Sequence, residues 1–235
     1  MLLSSKAYAA SSIDFDGSSH YLDMDNVLNF EKNVPKSVTL WVRADSAQDA
    51  ELVSKKDASS NNGWGMGLTT ANSPMSVYHH LRGSPPRDFF VYSFDTIQAT
   101  TWYFIGWTFG GDYTDENDVA IYINGTLATN ILDENALLSG DTTVNTHELF
   151  LGVRTDGVGP LDGQMFNVKI YNRVLSQAEI QTAMHCMNQP TEGVVAHWPL
   201  WSDPDVNVED LSENSYDGSN VGTTESSLGP PTSWC

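Results

Sequence analysis

The sequence predicts an all-β fold, an antiparallel β-sandwich that carries one short helix. Three observations carry this expectation. Short segments alternate apolar and polar residues at period two, clusters of Gly, Asn, Asp and Ser separate them, and 235 residues is a length such sandwiches commonly reach as one domain. Hydrophobic residues make up 40% of the chain and charged ones 17%, a composition that favours a packed core over disorder.

Residues 37–43 place Val38, Leu40 and Val42 on one face, as in a half-buried strand. Residues 101–109 are aromatic on both parities, with Trp102, Tyr103, Phe104 and Trp107, which suits a mid-sheet strand covered on two sides. Asn124-Gly125 tolerates the positive φ angles of a type I′ turn and joins 120–123 to 126–128 as a hairpin. Asn124-Gly125-Thr126 also matches a glycosylation acceptor, but the turn already accounts for both Asn and Gly. Residues 147–153 and 165–171 read as further strands, the second with Phe166, Val168 and Ile170 on its apolar face. Ser176-Gln177-Ala178-Glu179 is a capping box, with Leu175 placed to staple onto Ile180, and opens a helix over about 176–186. Gln189 to Gly193 breaks it, and 194–201 is a strand again. The remaining residues are too few for an independent core, so 191–235 is expected to complete the sheets of a single domain over 13–235.

Thirty acidic residues face 11 basic ones, a formal charge of −19. Such a chain is repelled by phosphate backbones, and nucleic acid is a poor partner. No run approaches the roughly 18 apolar residues that span a bilayer, so no membrane insertion is expected. Residues 1–12 read as an N-terminal arm. Ala7-Tyr8-Ala9 mimics a cleavage site, but the apolar stretch before it is short and broken by Ser4, Ser5 and Lys6. Two settings fit: a trimmed exported protein, or one made in the cytosol and carried on a particle such as a virion. Cys186 and Cys235 leave two readings open, a disulfide worth about 4 kcal/mol in the chain-entropy picture or two free thiols.

Several segments, taken in order, resemble the laminin-G-like, concanavalin A-like jelly roll of adhesion, glycan-binding and phage virion proteins. They are residues 13–23, 38–43, Leu52 to Asp57 with Asn62-Gly63-Trp64, Trp102-Tyr103, 121–125, 149–152 and 170–180. The likeness spans most of the chain. Residues 193–200 and 210–218 look like a stretch that usually precedes the opening strand, which implies a circularly permuted jelly roll. The family often carries an acidic pair in the strand entering Ile170, where this chain has Phe166-Asn167.

Calcium takes roughly six to eight oxygens, and Asp14 and Asp16 share one parity of the opening strand, with Asp162 beside them in the topology the resemblance implies. Asp112, Asp115, Glu116 and Asp118, and likewise Asp203, Asp205, Asn207 and Glu209, are acid-rich but lack the glycine of an EF-hand. Glycan recognition needs aromatic faces beside amides and carboxylates. Asn61, Asn62 and Trp64 supply that mixture, and His79, Arg82, Arg87, Asp88 and Tyr113 are read as lying on other loops that gather at one edge, since the loops of a sandwich cluster at its ends. The competing reading of Trp64 is a core residue. His79 and His80 lead into a long loop between apparent strands and read as an ordinary exposed loop; on a strand adjacent histidines would point to opposite faces, so a shared metal would need a bend. The chain lacks Glu-x-Asp-x-x-Glu, Gly-x-Ser-x-Gly, His-Glu-x-x-His and Cys-x-x-Cys patterns, which argues against a glycoside hydrolase or other enzyme. The expectation is a non-enzymatic module that binds a glycan or surface protein on a virion or extracellular surface. The alternative is a structural decoration or fibre protein docking on capsid or tail proteins.

Overall fold

A computed structural model describes residues 11–56, 62–83, 87–111, 113, 116–185, 189–201 and 208–231. Its strands, in chain order, are β1 (Ser12–Asp16), β2 (Tyr21–Asp23), β3 (Lys36–Ala44), β4 (Ala50–Lys56), β5 (Gly63–Thr69), β6 (Met75–Gly83), β7 (Arg87–Ile97), β8 (Tyr103–Phe109), β9 (Val119–Ile123), β10 (Thr126–Leu127), β11 (Asn130–Asn135), β12 (Phe150–Leu151), β13 (Asp162–Tyr171), β14 (Val194–Trp198), β15 (Ser219–Val221) and β16 (Thr224–Ser226). One α-helix, α1 (Gln177–Ala183), lies between β13 and β14.

The strands form two antiparallel sheets, and the expected jelly-roll sandwich is the fold observed. The first runs β10-β9-β8-β3-β13-β1-β16, with β14 also on β13; the second runs β11-β7-β6-β5-β4-β12-β2-β15. Alternation decides which side chains meet between them. Val38, Leu40 and Val42 of β3, Ile105 and Trp107 of β8, Trp64 and Met66 of β5, and Val77 and Leu81 of β6 share one buried cluster. Burial of each large apolar side chain contributes about 1.5–3 kcal/mol, and this layer holds the sandwich together.

The one aromatic residue of β8 on its other parity has a second use. Phe104 packs with Trp41, Phe166, Tyr171, Leu175 and Ile180 in a smaller cluster beneath α1. Gly106 permits that approach, because a Cβ there would stand 3.0 Å from Ile180. The helix is shorter than expected but begins as its sequence dictates, with both halves of the capping box on Ser176 and Glu179 present. The hairpin also forms as read, with φ of 50° at Asn124 and 75° at Gly125.

After α1 the chain returns to both sheets. β14 pairs with β13, β15 with β2 and β16 with β1. Asp210 organises this return: its carboxylate accepts from the backbone N–H groups of His197, Ser212 and Tyr216 at 2.7, 2.8 and 2.9 Å, and from the Ser212 hydroxyl at 2.7 Å. The fully buried Trp198 donates its indole N–H to the Tyr216 carbonyl at 2.8 Å. At the other end, the Ser11 and Ser12 hydroxyls donate to the carbonyls of Trp201 and Leu228. β1 thus begins inside the stretch expected as an arm, and residues 1–10 lie outside the described residues, as do Cys186 and Cys235.

Candidate functional site

The outer face of the second sheet is a shallow trough, and its floor is written in β5. There Gly63, Gly65 and Gly67 alternate with Trp64, Met66 and Leu68. The large side chains fill the core, so the strand presents almost nothing outward. Neighbouring side chains lie across it. A Cβ on Gly67 would stand 2.7 Å from the Tyr78 ring, and one on Gly65 would stand 3.1 Å from Glu51 Oε2 and 3.2 Å from Lys56 Cε. A bulge in β4 between Glu51 and Val53 sends Leu52 and Val53 both into the core and leaves Glu51 facing the trough.

On this face β6 presents Tyr78, His80 and Arg82, and β7 presents Asp88 and Phe90. Tyr78 and Phe90 stack with ring centroids 5.1 Å apart and 28° between planes. Beside them runs a chain of polar contacts. Glu51 Oε1 meets Lys56 Nζ at 3.0 Å, Lys56 Nζ meets His80 Nδ1 at 2.8 Å, and His80 Nε2 meets Asp88 Oδ1 at 3.1 Å. Arg82 closes the chain with bonds to both Asp88 oxygens at 2.5 and 2.7 Å. Because an ammonium group only donates, His80 accepts at Nδ1 and carries its proton on Nε2, which donates to Asp88.

Burial and the adjacent Lys56 ammonium push the His80 pKa down to about 4, so the imidazole is neutral at physiological pH. Burial also lowers Lys56, opposed by the Glu51 carboxylate. Burial acts to raise Asp88, but hydrogen bonds from Arg82 and His80 outweigh it and hold the carboxyl well below the usual range. The buried Glu51 Oε2 has no donor in hydrogen-bonding geometry, although the Tyr78 phenol lies against the same side chain. The result is a rigid, charge-balanced set of donors and acceptors flanking two aromatic rings.

Glu51, Lys56, Tyr78, His80 and Phe90 line a groove of about 230 Å³, closed on one side by Arg154, Val158 and Gly159 of the β12–β13 connection, and Asp88 and Arg82 brace His80 from outside that lining. Arg154 also lines a second groove of about 260 Å³, with Ser18, Tyr21, Phe150 and Gly157. Tyr21 and Phe150 stack there at 4.6 Å and 29°. Arg154 is held by Asp156 through bonds of 2.7 and 2.9 Å.

Of the described glycan candidates, Arg82 and Asp88 belong to this network. Trp64, His79 and Tyr113 are corrected to core residues, 1%, 0% and 2% exposed: Trp64 and His79 take the inward parity of β5 and β6, and Tyr113, in the bend after β8 with φ of 63°, folds in against Phe89 and Phe109. The Trp64 indole N–H donates to the Leu28 carbonyl, the His79 ring lies 4.1 Å from Trp107, and Tyr113 stacks on Phe109 at 3.8 Å. The loop expected here is corrected to paired strands, with His79, His80 and Arg82 on β6 and Arg87 and Asp88 on β7, and His79 and His80 point to opposite faces. Arg87 pairs with Asp141 at 2.6 Å, and the buried Asn62 donates to Val144 O and accepts from Asn145, so both brace loops. Asn61 lies outside the described residues.

The three expected calcium ligands are neighbours in space, since Asp16 pairs with Asp162 and Asp14 with Gln164 across β1 and β13, but they do not fit a cation. Asp16 caps its own turn, accepting from the N–H groups of Ser18, Ser19 and His20 at 2.9, 2.8 and 3.0 Å. Asp14 accepts from Gln164 at 2.6 Å. Burial, then the charges of Asp45, Asp14 and Asp16, raise the pKa of Asp162. At the place of the family's acidic pair, Phe166 is buried under α1 and Asn167 bonds to His197 at 2.9 Å. Among the described residues no three His, Cys, Asp or Glu side chains are grouped to hold a metal ion. Asp112, Asp115, Asp203, Asp205 and Asn207 lie outside those residues.

The model of the concanavalin A-like lectin/glucanases superfamily matches residues 16–181, well over half of the chain. The chain belongs to this superfamily. Among solved superfamily-like folds, one is a Bacteroides ovatus protein to which carbohydrate binding has been ascribed, with a TM-score of 0.67 and 14% identity over 95% of this chain and 61% of that one. This superfamily member therefore spans about three fifths of that protein. Another is the native heptameric SAP-like pentraxin of Limulus polyphemus, at 0.62 and 12% over 94% and 96%. A third is the Ruminococcus gnavus IT-sialidase CBM40, at 0.50 and 16% over 72% and 94%. At such identities these likenesses concern the fold. No curated protein matches the sequence.

Sequence reasoning missed Glu51, Lys56, Tyr78, His80, Phe90 and Arg154 as site residues of this superfamily member. One signal was present: glycine at every second position of β5 announces a face stripped of side chains, and parity then puts Tyr78 and His80 next to it.

Proposed function

We propose that this protein is a non-catalytic carbohydrate-recognition module whose ligand, an uncharged glycan, lies in the trough of the second sheet. The observation that carries the reading is the stacked Tyr78–Phe90 pair beside the fixed chain Glu51–Lys56–His80–Asp88–Arg82. Ring faces receive the C–H surface of a sugar, and a few placed polar groups orient its hydroxyls. The cations lining the two grooves, Lys56 and Arg154, already face Glu51 and Asp156, which favours a neutral ligand over an acidic one. Carbohydrate binding ascribed to the Bacteroides ovatus relative points the same way. Hydrolysis is disfavoured because a glycosidase keeps one carboxyl protonated as its acid, whereas Asp88 is held ionised and Glu51 faces an ammonium. The setting proposed is an extracellular or virion surface, where an excess of 19 negative charges keeps a displayed module soluble.

A glycan array followed by titration calorimetry tests this, in calcium and in EDTA. Neutral glycans are expected to bind equally in both, and Phe90→Ala to weaken them roughly tenfold, the equivalent of about 1.4 kcal/mol of lost stacking. Absence of any bound glycan in either buffer, or affinity unchanged in Phe90→Ala, would overturn the reading.

A further inference from the structure

The registers of five strands place Phe90, His80, Gly65, Ser54 and Phe150 in one row across the outer face, each the cross-strand partner of the next. Partners in antiparallel strands point to the same side, so Phe150 faces the same solvent as Phe90. Four strand spacings of about 4.8 Å put the ends of the row roughly 19 Å apart, longer than any single sugar ring. Each end carries a stacked aromatic pair, Tyr78–Phe90 and Tyr21–Phe150. The middle carries no side chain at Gly65 and a small buried one at Ser54, whose hydroxyl has no hydrogen-bond partner, and the ends of Glu51 and Lys56 lie across it as its polar floor. The two grooves lie on either side of Arg154, which lines both.

We infer that the two grooves are subsites for one ligand, an extended uncharged oligosaccharide that crosses the strands and bridges Tyr78–Phe90 and Tyr21–Phe150 over Arg154; this rests on the glycan reading above. Each aromatic pair takes one end of the chain. Arg154 stands at the centre, its plane fixed by Asp156, with guanidinium N–H groups beyond the two that meet Asp156 turned to sugar hydroxyls. Two separate monosaccharide sites would need no shared residue and no common row.

The experiment is calorimetry with cello-, xylo-, manno- and malto-oligosaccharides of one to six rings, on the wild type and on Phe90→Ala, Phe150→Ala and Tyr21→Ala, each checked for an unchanged melting profile. Affinity for the ladder that binds is expected to climb from the monomer to at least the trimer. Phe90→Ala, Phe150→Ala and Tyr21→Ala should each cost the hexamer about tenfold, and in NMR shift titration with the monomer each should abolish the perturbations around its own aromatic pair alone. Tyr21→Ala and Phe150→Ala serve as each other's substitute if one fails to fold. Affinity independent of length, or hexamer binding unaffected by both of these variants, would overturn the two-subsite inference and leave the glycan reading standing. A wild type that binds no ladder at any length would overturn both.

Discussion

His80 is a histidine that does not titrate where histidines usually do. Its pKa of about 4 means that the donor–acceptor pattern of the trough is already set at pH 5 and unchanged at pH 8. Glycan affinity is therefore expected to be flat over that range and to fall below pH 4, where a protonated ring confronts Lys56; calorimetry across pH 3.5–8 checks this. Lys36 behaves differently. It is fully buried with Nζ 4.5 Å from the Phe109 ring centroid, and burial, opposed by Glu31, lowers its pKa to about 7. Between that value and its ordinary 10.5 the unfolded chain holds a proton that the folded chain has shed, so this group makes stability rise with pH through that window. Lys36→Met removes the effect. The stability gap between variant and wild type should shrink with rising pH by up to about 1.4 kcal/mol per unit, read from denaturant melts at pH 7–10.

Elements differ in how much of themselves they carry in their own sequence. The hairpin at Asn124-Gly125 and the start of α1 were legible because a turn and a cap are satisfied by residues a few positions apart. β15 and β16, of three residues each, have no such local mark, since only a partner strand makes them strands. The misreading of Trp64 and His79 has the same root: residue type suggested sugar contact, but parity against the next strand decides which face a side chain takes. The glycines of β5 allow a direct test. Gly67→Ala puts a Cβ 2.1 Å from the Ala50 carbonyl oxygen, backbone that cannot yield, and should cost about 1–3 kcal/mol of stability. Gly65→Ala meets the ends of Glu51 and Lys56 at 3.1 and 3.2 Å and the Val53 carbonyl at 3.2 Å. It should fold with a loss under about 1 kcal/mol and lose glycan affinity, because the polar chain has to shift.

At the scale of the molecule, the β-sandwich was predictable from alternation and its family from ordered segments, but the trough was not, because it is assembled from registers among five strands. The return of residues 194–226 to both sheets underlies the proposal that 13–235 folds as one unit. A chain ending at residue 190 strips β1, β2 and β13 of one partner strand each and is expected to lose its cooperative thermal transition. A soluble truncated chain that still melts in a single sharp step would refute that unity. Asp210→Ala tests the return more gently: losing four charge-assisted bonds, it should cost about 2–4 kcal/mol in a denaturant melt.

β1 and β16 lie side by side and antiparallel, with Ser12 opposite Ser226, so the chain enters and leaves the body at one corner. A pull applied between residues 11 and 228 would load their hydrogen bonds in sequence, opening them like a zip at low force, whereas shearing would require all of them to break together. Tension from a captured ligand is better borne by a tether on the β1 side, because β1 is also bonded to β13 on its other edge, whereas a tether on the β16 side loads this seam directly.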